Sequence, residues 1–396
     1  MHLNSPPFTS EAFRIAIIGG GPGGLTLAKL VETRGIHALV FESDAHPLER
    51  PQGGTLDIHA DGGQIAVHRA GLEKEFKAVA RYEDQGARLL DRDGRVIFDE
   101  EDGGEDPSLR DRPEVDRTLL RQMLLDALPA GMVVWGRKLS GIEAQADGRF
   151  RLQFSDGSHE TFDFVVGADG TWSKVRPLVS ASVPEYSGIT FIESGFDSVD
   201  QNHPEISRVV GRGKMFALGD TKGIIAQRNG GGHIRAYFAL RVPEDWTRTG
   251  PIDFSTPESS RAGIAACFAG WAPELLAFIH TCDPWFVPRR LYALPSGHSW
   301  EHRAGVTLLG DAAHVMSPFG GFGANYAMLD AAELAEAIEQ GLQSGDRQVF
   351  EAKIAAYEKQ MCERAGIAAE QAARGLDEAF SESGYRHVFD HLEEHA

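Results

Sequence analysis

Cysteine is scarce in this sequence, and its few cysteines follow neither a disulfide nor a metal-binding spacing. Cys267, Cys282 and Cys362 are scattered along the chain and form no C-x-x-C pair. We therefore expect free thiols, with no disulfide framework and no metal site. Runs of basic residues are missing too: 39 lysines and arginines stand against 58 acidic residues, a formal net charge of −19. This balance argues against nucleic acid and anionic membrane surfaces as partners.

Long apolar runs are also missing. No stretch approaches the roughly 18 consecutive apolar residues of a membrane-spanning helix. The first residues, MHLNSPPFTSEAF, contain neither a basic leader nor an apolar run of signal-peptide length. We therefore expect a cytoplasmic protein with no membrane partner. No Ser-His-Asp or paired-carboxylate constellation stands out either, so the residues alone assign no catalytic side chain.

Glycine, in contrast, is concentrated in two clusters, one near each end of the chain. The first, AIIGGGPGGLTLAK, joins a β-type run to a helical run, and a second short strand, ALVF, follows. Gly19 permits a tight turn, Gly21 lets a pyrophosphate approach the backbone, and Gly24 lets helix and strand pack closely. Glu42, at the end of the next strand, can accept hydrogen bonds from ribose hydroxyls. This βαβ pattern predicts a dinucleotide site at a helix N-terminus, without deciding between NAD(P) and FAD.

The second cluster, GDAAHVMSPFGGFGAN, predicts which dinucleotide is bound. Asp311 is expected to end a strand, GVTLLGD, and the glycines at 320–323 lead into a helix that begins near Ala324. A carboxylate at a strand end can accept a hydrogen bond from a sugar alcohol. A glycine-lined helix start can direct N–H groups at a ring that gains negative charge on reduction. FAD has both a ribityl chain and such a ring, and NAD has neither.

Several further elements can be predicted from local patterns. Two hairpins are expected to turn at Asp93-Gly94 and at Asp156-Gly157. Residues 114–128 are predicted to form one amphipathic helix that ends at a proline. Residues from about 185 to 290 alternate short β runs with glycine-rich turns, which indicates a separate, inserted sheet. Residues after 348 read as a further helix with a polar tail.

Three motifs in this order resemble those of the single-component FAD-dependent monooxygenases of the aromatic-hydroxylase type. The motifs are G-x-G-x-x-G, GADGTWSKVR and GDAAHxxxPxxGxGxN, and the resemblance spans residues 14 to about 357. Within that family, RPQGGTLDIHADGGQIAVHRAGL and RPEVDRTLLRQMLLDAL are most similar to tetracycline-inactivating monooxygenases of the TetX type. The resemblance implies an α/β fold: a Rossmann-like FAD-binding domain, an inserted β-sheet substrate domain and a C-terminal helix that bridges the two.

The same resemblance implies a division of the chain into regions. The FAD-binding domain is expected to comprise residues 1–76, 102–180 and 291–345. The substrate domain is expected to comprise residues 77–101 and 181–290, and residues 346–396 to form the C-terminal helical segment. A chain of 396 residues is long enough for such a division.

Site residues can be carried over from the matching motifs. Cofactor contacts are expected from Gly19, Gly21, Gly24, Glu42, Arg50, Asp57, Arg117, Asp169, Asp311, Gly321, Gly323 and Asn325, with Arg50 as the candidate NADPH contact. Substrate contacts are expected from Glu193, Gln227, Arg235, Phe319 and Gly321. Tyr237 and Phe238 should lie on opposite sides of a strand, and the sequence does not decide which one faces the substrate. His314 is expected to be a packed structural histidine, and Ser43 stands where the TetX type has an arginine.

The reaction implied by the resemblance uses NADPH (or NADH) to reduce FAD, with O₂ as the second co-substrate. A flavin hydroperoxide would then hydroxylate a small aromatic or polyketide-like molecule, with tetracycline-type antibiotics among the candidates. The expected partners are therefore a small-molecule substrate and O₂, and the expected state is a monomer. Two alternatives stay open: a flavin-dependent reductase or halogenase of the same fold, and a non-catalytic flavin- or drug-binding module. None of the six tryptophans fits the W-x-W-x-I-P pattern of halogenases.

Overall fold

The structure is a computed structural model that describes residues 13–49, 53–100, 112–386 and 388–389. The strands in these ranges are β1 (Ile15–Ile18), β2 (Ala38–Phe41), β3 (Thr55–Asp57), β4 (Gly86–Asp91), β5 (Val96–Asp99), β6 (Glu114–Asp116), β7 (Val133–Val134), β8 (Leu139–Ala144), β9 (Phe150–Phe154), β10 (His159–Phe162), β11 (Phe164–Gly167), β12 (Glu185–Phe196), β13 (Gly213–Gly219), β14 (Lys222–Arg228), β15 (Ile234–Arg241), β16 (Val287–Ala293) and β17 (Val306–Leu308). The α-helices are α1 (Pro22–Glu32), α2 (Gly63–Arg69), α3 (Glu73–Val79), α4 (Arg117–Asp126), α5 (Val199–Asn202), α6 (Pro204–Val210), α7 (Trp246–Thr249), α8 (Pro257–Cys267), α9 (Pro273–Thr281), α10 (Asp311–His314), α11 (Phe322–Gln343) and α12 (Arg347–Ala379).

A five-stranded parallel sheet, in the order β17-β11-β1-β2-β7, brings the sequence motifs together. Its central strands are buried apolar runs, as expected for a parallel sheet covered by helices on both faces. The register pairs Ile18 with Gly167 and Gly167 with Leu308. The loops after β1, β11 and β17 therefore leave the same edge of the sheet side by side. Three motifs that are far apart in the chain become neighbours for this reason.

Most of the predicted local elements are confirmed, including the βαβ unit of β1, α1 and β2 and both hairpins. The prediction of one helix over residues 114–128 is wrong in its first turn. Residues of β6 pair with β3, and the helix begins only at Arg117. The strand conformation lets the buried Glu114 carboxylate accept hydrogen bonds from Thr55 Oγ1 and Lys214 Nζ, both at 2.8 Å.

The prediction that Asp311 ends a strand is also wrong. Strand β17 ends at Leu308, and Asp311 is the first residue of the short helix α10. The chain turns at Gly310, whose φ of 58° is easily adopted by glycine alone. The carboxylate therefore follows a turn at the carboxyl edge of the sheet.

A second, seven-stranded sheet has the order β16-β12-β15-β14-β13-β4-β5. One of its faces packs against α6, α8 and α9, and Phe238 lies fully buried in that core beside Phe268. Successive side chains of a strand point to opposite faces. Tyr237 therefore lies on the other face, which is turned toward the first sheet and lines the cleft described below.

Helix α12 packs against both sheets, which confirms the predicted bridging helix. Its first half contributes Phe350 and Ile354 to the core around the five-stranded sheet. Leu376, near its end, and Phe380, just after it, lie in a core with Phe191 of the seven-stranded sheet. The predicted domain boundaries stay a prediction, although β16 continues past the boundary at residue 290. Within the described residues, no helix is both long and apolar enough to cross a bilayer.

Candidate functional site

A cleft of about 2080 Å³ runs between the carboxyl edge of the five-stranded sheet and the second face of the seven-stranded sheet. The first glycine cluster contributes Gly21 and Gly24 to its wall, and the second contributes Gly321 and Gly323. Asp311 also lines the cleft. Both clusters therefore face a single cavity, as one long ligand held by both would require.

The positions of the first cluster are glycine for different reasons. A Cβ at Gly24 would overlap the carbonyl oxygen of Gly19, and a Cβ at Gly19 would overlap the carbonyl oxygen of Ala168. Those two glycines are needed by the protein itself. A Cβ at Gly21 would meet nothing within 4 Å, because the residue faces the open cleft at the start of α1. This open cradle beside unpaired helix N–H groups fits the pyrophosphate of a dinucleotide.

Glu42 is buried and hydrogen bonded within the protein. Its Oε2 accepts a hydrogen bond from the backbone N–H of Gly20 at 2.8 Å and lies 3.4 Å from the guanidinium of Arg121. Arg121 also donates to the carbonyl of Gly20 at 3.0 Å. Glu42 therefore fastens the glycine loop to the end of β2, and a ribose contact from it stays a prediction. Sequence reasoning missed Arg121, although it follows Arg117 by one helical turn.

The second glycine loop is tied to β3 by Asn325. The side-chain amide of this residue donates to the carbonyls of Asp57 at 2.8 Å and Gly321 at 2.9 Å. Its oxygen accepts from the backbone N–H groups of His59 at 2.8 Å and Gly63 at 3.0 Å. Asn325 is buried and directs its polar groups at the protein, so its clearest role is to position the loop.

Gly321 combines a positive φ of 68° with a close approach to β3. A Cβ here would lie 3.0 Å from both carboxylate oxygens of Asp57. Gly323, two residues on, faces the cleft, and a Cβ there would come no closer than 3.9 Å to Asp311 Oδ1. At Gly323, therefore, no side chain covers the backbone of the first turn of α11 on the side that faces the cavity.

Asp311 and Asp169 follow neighbouring strands but have different surroundings. Asp311 is exposed to the cleft, so its carboxylate is accessible to a ligand. Burial raises the pKa of Asp169, whose Oδ2 accepts a hydrogen bond from the backbone of Lys174 at 2.6 Å. Arg176 donates to the carbonyls of Ala312 and Thr171 and so holds the two loops together. No spacing in the sequence predicted this role of Arg176.

His314 is buried, as expected of a structural histidine. Its Nε2 lies 2.6 Å from Asp330 Oδ2, and Asp330 is in turn paired with Arg364 at 2.8 Å. Burial alone would lower the pKa of His314, but the Asp330 carboxylate outweighs this effect and raises it. Asp330 also accepts a hydrogen bond from the backbone of Gly310 at 3.0 Å. The group therefore anchors the loop that carries Asp311.

A charge cluster in the wall of the cleft joins the predicted contact Asp57 to two residues that sequence reasoning missed, the partly buried Lys214 and the buried Glu114. Lys214 Nζ, on β13, lies 2.8 Å from Glu114 Oε1 and 3.1 Å from Asp57 Oδ2. Burial opposes the charge on each partner, but the pKa of Asp57 lies well below its ordinary value because Lys214 and His59 contact it. For the same reason the carboxylates raise the pKa of Lys214 above its ordinary value. The lysine stood alone in the strand pattern KMFAL, so no motif marked it.

The remaining wall is the face of the seven-stranded sheet that carries Tyr237. Gln227, a predicted substrate contact, lines the cleft from this face, together with the apolar side chains of Phe191, Phe216, Ile225 and Leu291. Phe319, the other predicted contact, lines it from the second glycine loop, as does Met316. Glu193 and Arg235 are not among the lining residues of the described chain. Glu193 is buried between Arg235 at 3.2 Å and Arg289 at 2.9 Å. Both residues lie on the same sheet face as Tyr237, and a substrate contact from them stays a prediction.

Three predicted cofactor contacts remain: Arg50, Asp57 and Arg117. Arg117 lies at the exposed start of α4 and lines the cleft. Asp57 lines it as well, between the second glycine loop and Lys214. Arg50, the predicted NADPH contact, lies outside the described residues.

Comparison with known proteins identifies the family. The family described as "FAD binding domain" matches residues 12–270 and 292–371. The chain is 32% identical to "Monooxygenase penA" of Penicillium thymicola over 84% of this chain and 85% of that protein. It is 30% identical to "6-hydroxynicotinate 3-monooxygenase" of Bordetella bronchiseptica over 89% of this chain and 88% of that protein.

Solved structures show the same fold. Klebsiella pneumoniae HpxO, complexed with FAD and uric acid, has a TM-score of 0.78 at 22% identity, covering 98% of this chain and 94% of that one. The tetracycline destructase Tet(51) has a TM-score of 0.69 at 19% identity, covering 96% and 94%. These structural likenesses support the fold alone. Together with the match along most of its length, they agree with the motifs and the cleft: the chain belongs to the family of single-component FAD-dependent monooxygenases.

Proposed function

We propose that this protein is a monooxygenase that uses NADPH or NADH and O₂ to hydroxylate a small aromatic or polyketide-like molecule. One observation carries the proposal: a single cleft is lined by both glycine clusters and by a sheet face that carries apolar and polar side chains. Tetracycline-type antibiotics stay among the candidate substrates. A cytoplasmic location and a monomeric state stay predictions from the sequence.

The residues of the cleft fit FAD. The open backbone at Gly21 and the start of α1 would hold the pyrophosphate. Asp311 would accept hydrogen bonds from the ribityl chain, and Arg117 and Asp57 would contribute polar contacts. Bound FAD supplies the redox chemistry that activates O₂.

The chain's own contribution is orientation and the exclusion of water. The N-terminus of α11 would present backbone N–H groups and a positive dipole end to a ring that gains charge on reduction. Phe319 and Phe216 would form apolar walls for a flat substrate, and Gln227 would fix its polar edge. A site of this kind needs no nucleophilic or metal-binding side chain.

Substrate oxygenation is the direct test. Purified protein with FAD is mixed with NADPH or NADH and a panel of aromatic and polyketide-like compounds under ¹⁸O₂. We expect a product heavier than its substrate by one labelled oxygen atom. Reductant oxidation without such a product from any compound would count against hydroxylation.

Two comparisons separate the alternatives. A reductase of the same fold would turn over without O₂, so the anaerobic rate distinguishes it from an oxygenase. A binding module would retain FAD but would not oxidise NADPH or NADH at all.

A further inference from the structure

Lys214 places one largely buried cation in the wall of the cleft, with about 20% of its side chain exposed. It projects from β13 of the seven-stranded sheet and reaches across to the two-stranded sheet of β3 and β6. There its ammonium pairs with the Asp57 and Glu114 carboxylates, at 3.1 and 2.8 Å. One side chain thus links the wall proposed to hold substrate to the strands proposed to hold the cofactor.

The cluster lies against the second glycine loop. The Asp57 carboxylate oxygens lie 3.0 Å from the position that a Cβ on Gly321 would take. Asn325 donates to the backbone carbonyls of both residues and so holds the two backbones at this spacing, whereas the Asp57 carboxylate itself is contacted by Lys214. The Asp57 carboxylate therefore lies between the Lys214 ammonium and the second glycine loop, which precedes α11.

The charge of this cluster depends on Lys214. Apart from His59, which contacts Asp57 and is kept in every variant below, one ammonium and two carboxylates leave a formal charge of −1, and a neutral side chain at 214 would leave −2. Lys214 and Glu114 are largely removed from water, so the change would be screened less than at the surface. Hydride transfer from NADPH to FAD releases NADP⁺ and leaves the flavin with two more electrons and one more proton. Reduction therefore adds one negative charge, whose stability depends on nearby charges.

We propose that Lys214 is a positioning residue that holds Asp57 against the second glycine loop and favours the reduced over the oxidised form of bound FAD. This inference rests on the proposed function, because it requires the flavin ring at that loop. Lys214, a residue of the seven-stranded sheet, would thus influence the reduction potential of the bound flavin.

The test is the midpoint potential of the bound flavin, measured by dye-coupled reduction in mildly alkaline buffer, where free carboxyl groups are ionised. In Lys214→Met we expect the preference for the reduced form to fall about tenfold, which is about 30 mV for a two-electron couple. Lys214→Arg keeps the charge and should stay near the parent. The double variant K214M/E114Q returns the cluster to −1 and should recover most of the potential.

Lys222→Met is the matched control. Lys222 is in the same sheet, but its ammonium donates to the Cys267 carbonyl at 2.8 Å and it does not line the cleft. Its loss removes one positive charge away from the flavin, so the potential should not change.

Three results would overturn the inference: an unchanged potential in K214M, no recovery in K214M/E114Q, or an equal shift in K222M. Should K214M not fold, Glu114→Gln alone decides, because removing one carboxylate must raise the potential. Parent protein that holds no FAD, or whose FAD is not reduced by NADPH or NADH, would sink the proposed function as well. Reduction of the parent combined with an unchanged K214M potential would sink this inference only.

Discussion

At the scale of single residues, two glycines of the first cluster have different roles: Gly24 is needed by the fold, and Gly21 is proposed to be needed for ligand binding. Gly21→Ala should leave the stability of the protein without FAD unchanged or slightly higher, because its methyl group would meet nothing within 4 Å. FAD affinity should fall at least about tenfold, since that methyl group would block the approach of the pyrophosphate. Thermal unfolding without FAD and equilibrium dialysis with FAD measure the two effects.

Gly24→Ala is the matched comparison. Its methyl group would overlap the Gly19 carbonyl oxygen, so the protein should lose about 1–3 kcal/mol or more of stability even without cofactor. A Gly21→Ala variant that unfolds as readily as Gly24→Ala would contradict the assignment of Gly21 to ligand approach.

Asp311 provides a second residue-level prediction. Asp311→Ala removes an exposed carboxylate of the cleft, and an unpaired ribityl hydroxyl would cost roughly 1–3 kcal/mol, or about 5- to 150-fold in FAD affinity. Asp93→Ala, at the exposed tip of the β4–β5 hairpin, is the control. A variant that purifies as yellow as the parent and binds FAD equally well would rule out this contact.

Residues of a local motif could be predicted from the sequence, and roles that depend on distant partners could not. The glycine spacing marked Gly21 because the chemistry of phosphate binding constrains neighbours in the chain. Lys214 stands in no motif, and Arg176, although it ends the GADGTWSKVR motif, also donates to the distant Ala312 carbonyl, so only the fold shows what either cation does. Their roles depend on tertiary contacts that no local pattern encodes.

At the scale of elements, short strands were harder to predict than buried parallel strands. Strands β1 and β11 are apolar throughout, and their sequences alone indicate burial on two faces. Strand β6 has three residues and forms because β3 pairs with it. Its residues also continue the helical spacing of the segment that follows, so the sequence pattern did not reveal a strand. The predicted helix began three residues early for that reason.

The contact between α12 and the loop before β17 depends on pH. His302 lies between the carboxylates of Glu351 at 3.2 Å and Glu358 at 2.8 Å, and these hydrogen bonds raise its pKa to about 9. A raised histidine pKa stabilises the fold fully below the ordinary value of 6.5, and this contribution is lost as pH rises through about 9. The melting temperature should therefore fall by about 1–2 °C over this range.

The measurement compares the melting temperature of the parent with that of His302→Gln between neutral and alkaline pH. The variant should lack this part of the decline, whereas His37→Gln, at an exposed histidine, should show the parental profile. Parallel profiles for the parent and His302→Gln would show that the imidazole does not contribute.

At the scale of the whole molecule, the predicted architecture was correct. Which face of the seven-stranded sheet lines the cleft could not be derived from the sequence. Alternation in β15 placed Tyr237 and Phe238 on opposite faces without saying which face met the cleft. The helices α8 and α9 cover the Phe238 face, and the end of α12 reaches the other. That choice depends on long-range packing, and it decides which side chains line the cleft.

The last prediction concerns how α12 joins the two sheets. Phe380, just after its end, is fully buried and packs on Phe319 of the second glycine loop at 5.6 Å and on Phe191 at 6.2 Å between ring centroids. Phe380→Ala should cost about 3–5 kcal/mol of stability. It should also weaken FAD retention, because Phe319 immediately precedes the glycines of that loop.

Phe268→Ala is the control, since Phe268 is equally buried but packs on Trp271 and Phe238 on the far face of the seven-stranded sheet. Denaturant unfolding without FAD should show a similar loss for both variants. FAD affinity, measured under conditions in which both are folded, should fall clearly more in Phe380→Ala, because only this residue supports the glycine loop. Equal FAD affinities in the two variants would mean that the end of α12 stabilises the fold without holding the cofactor loop.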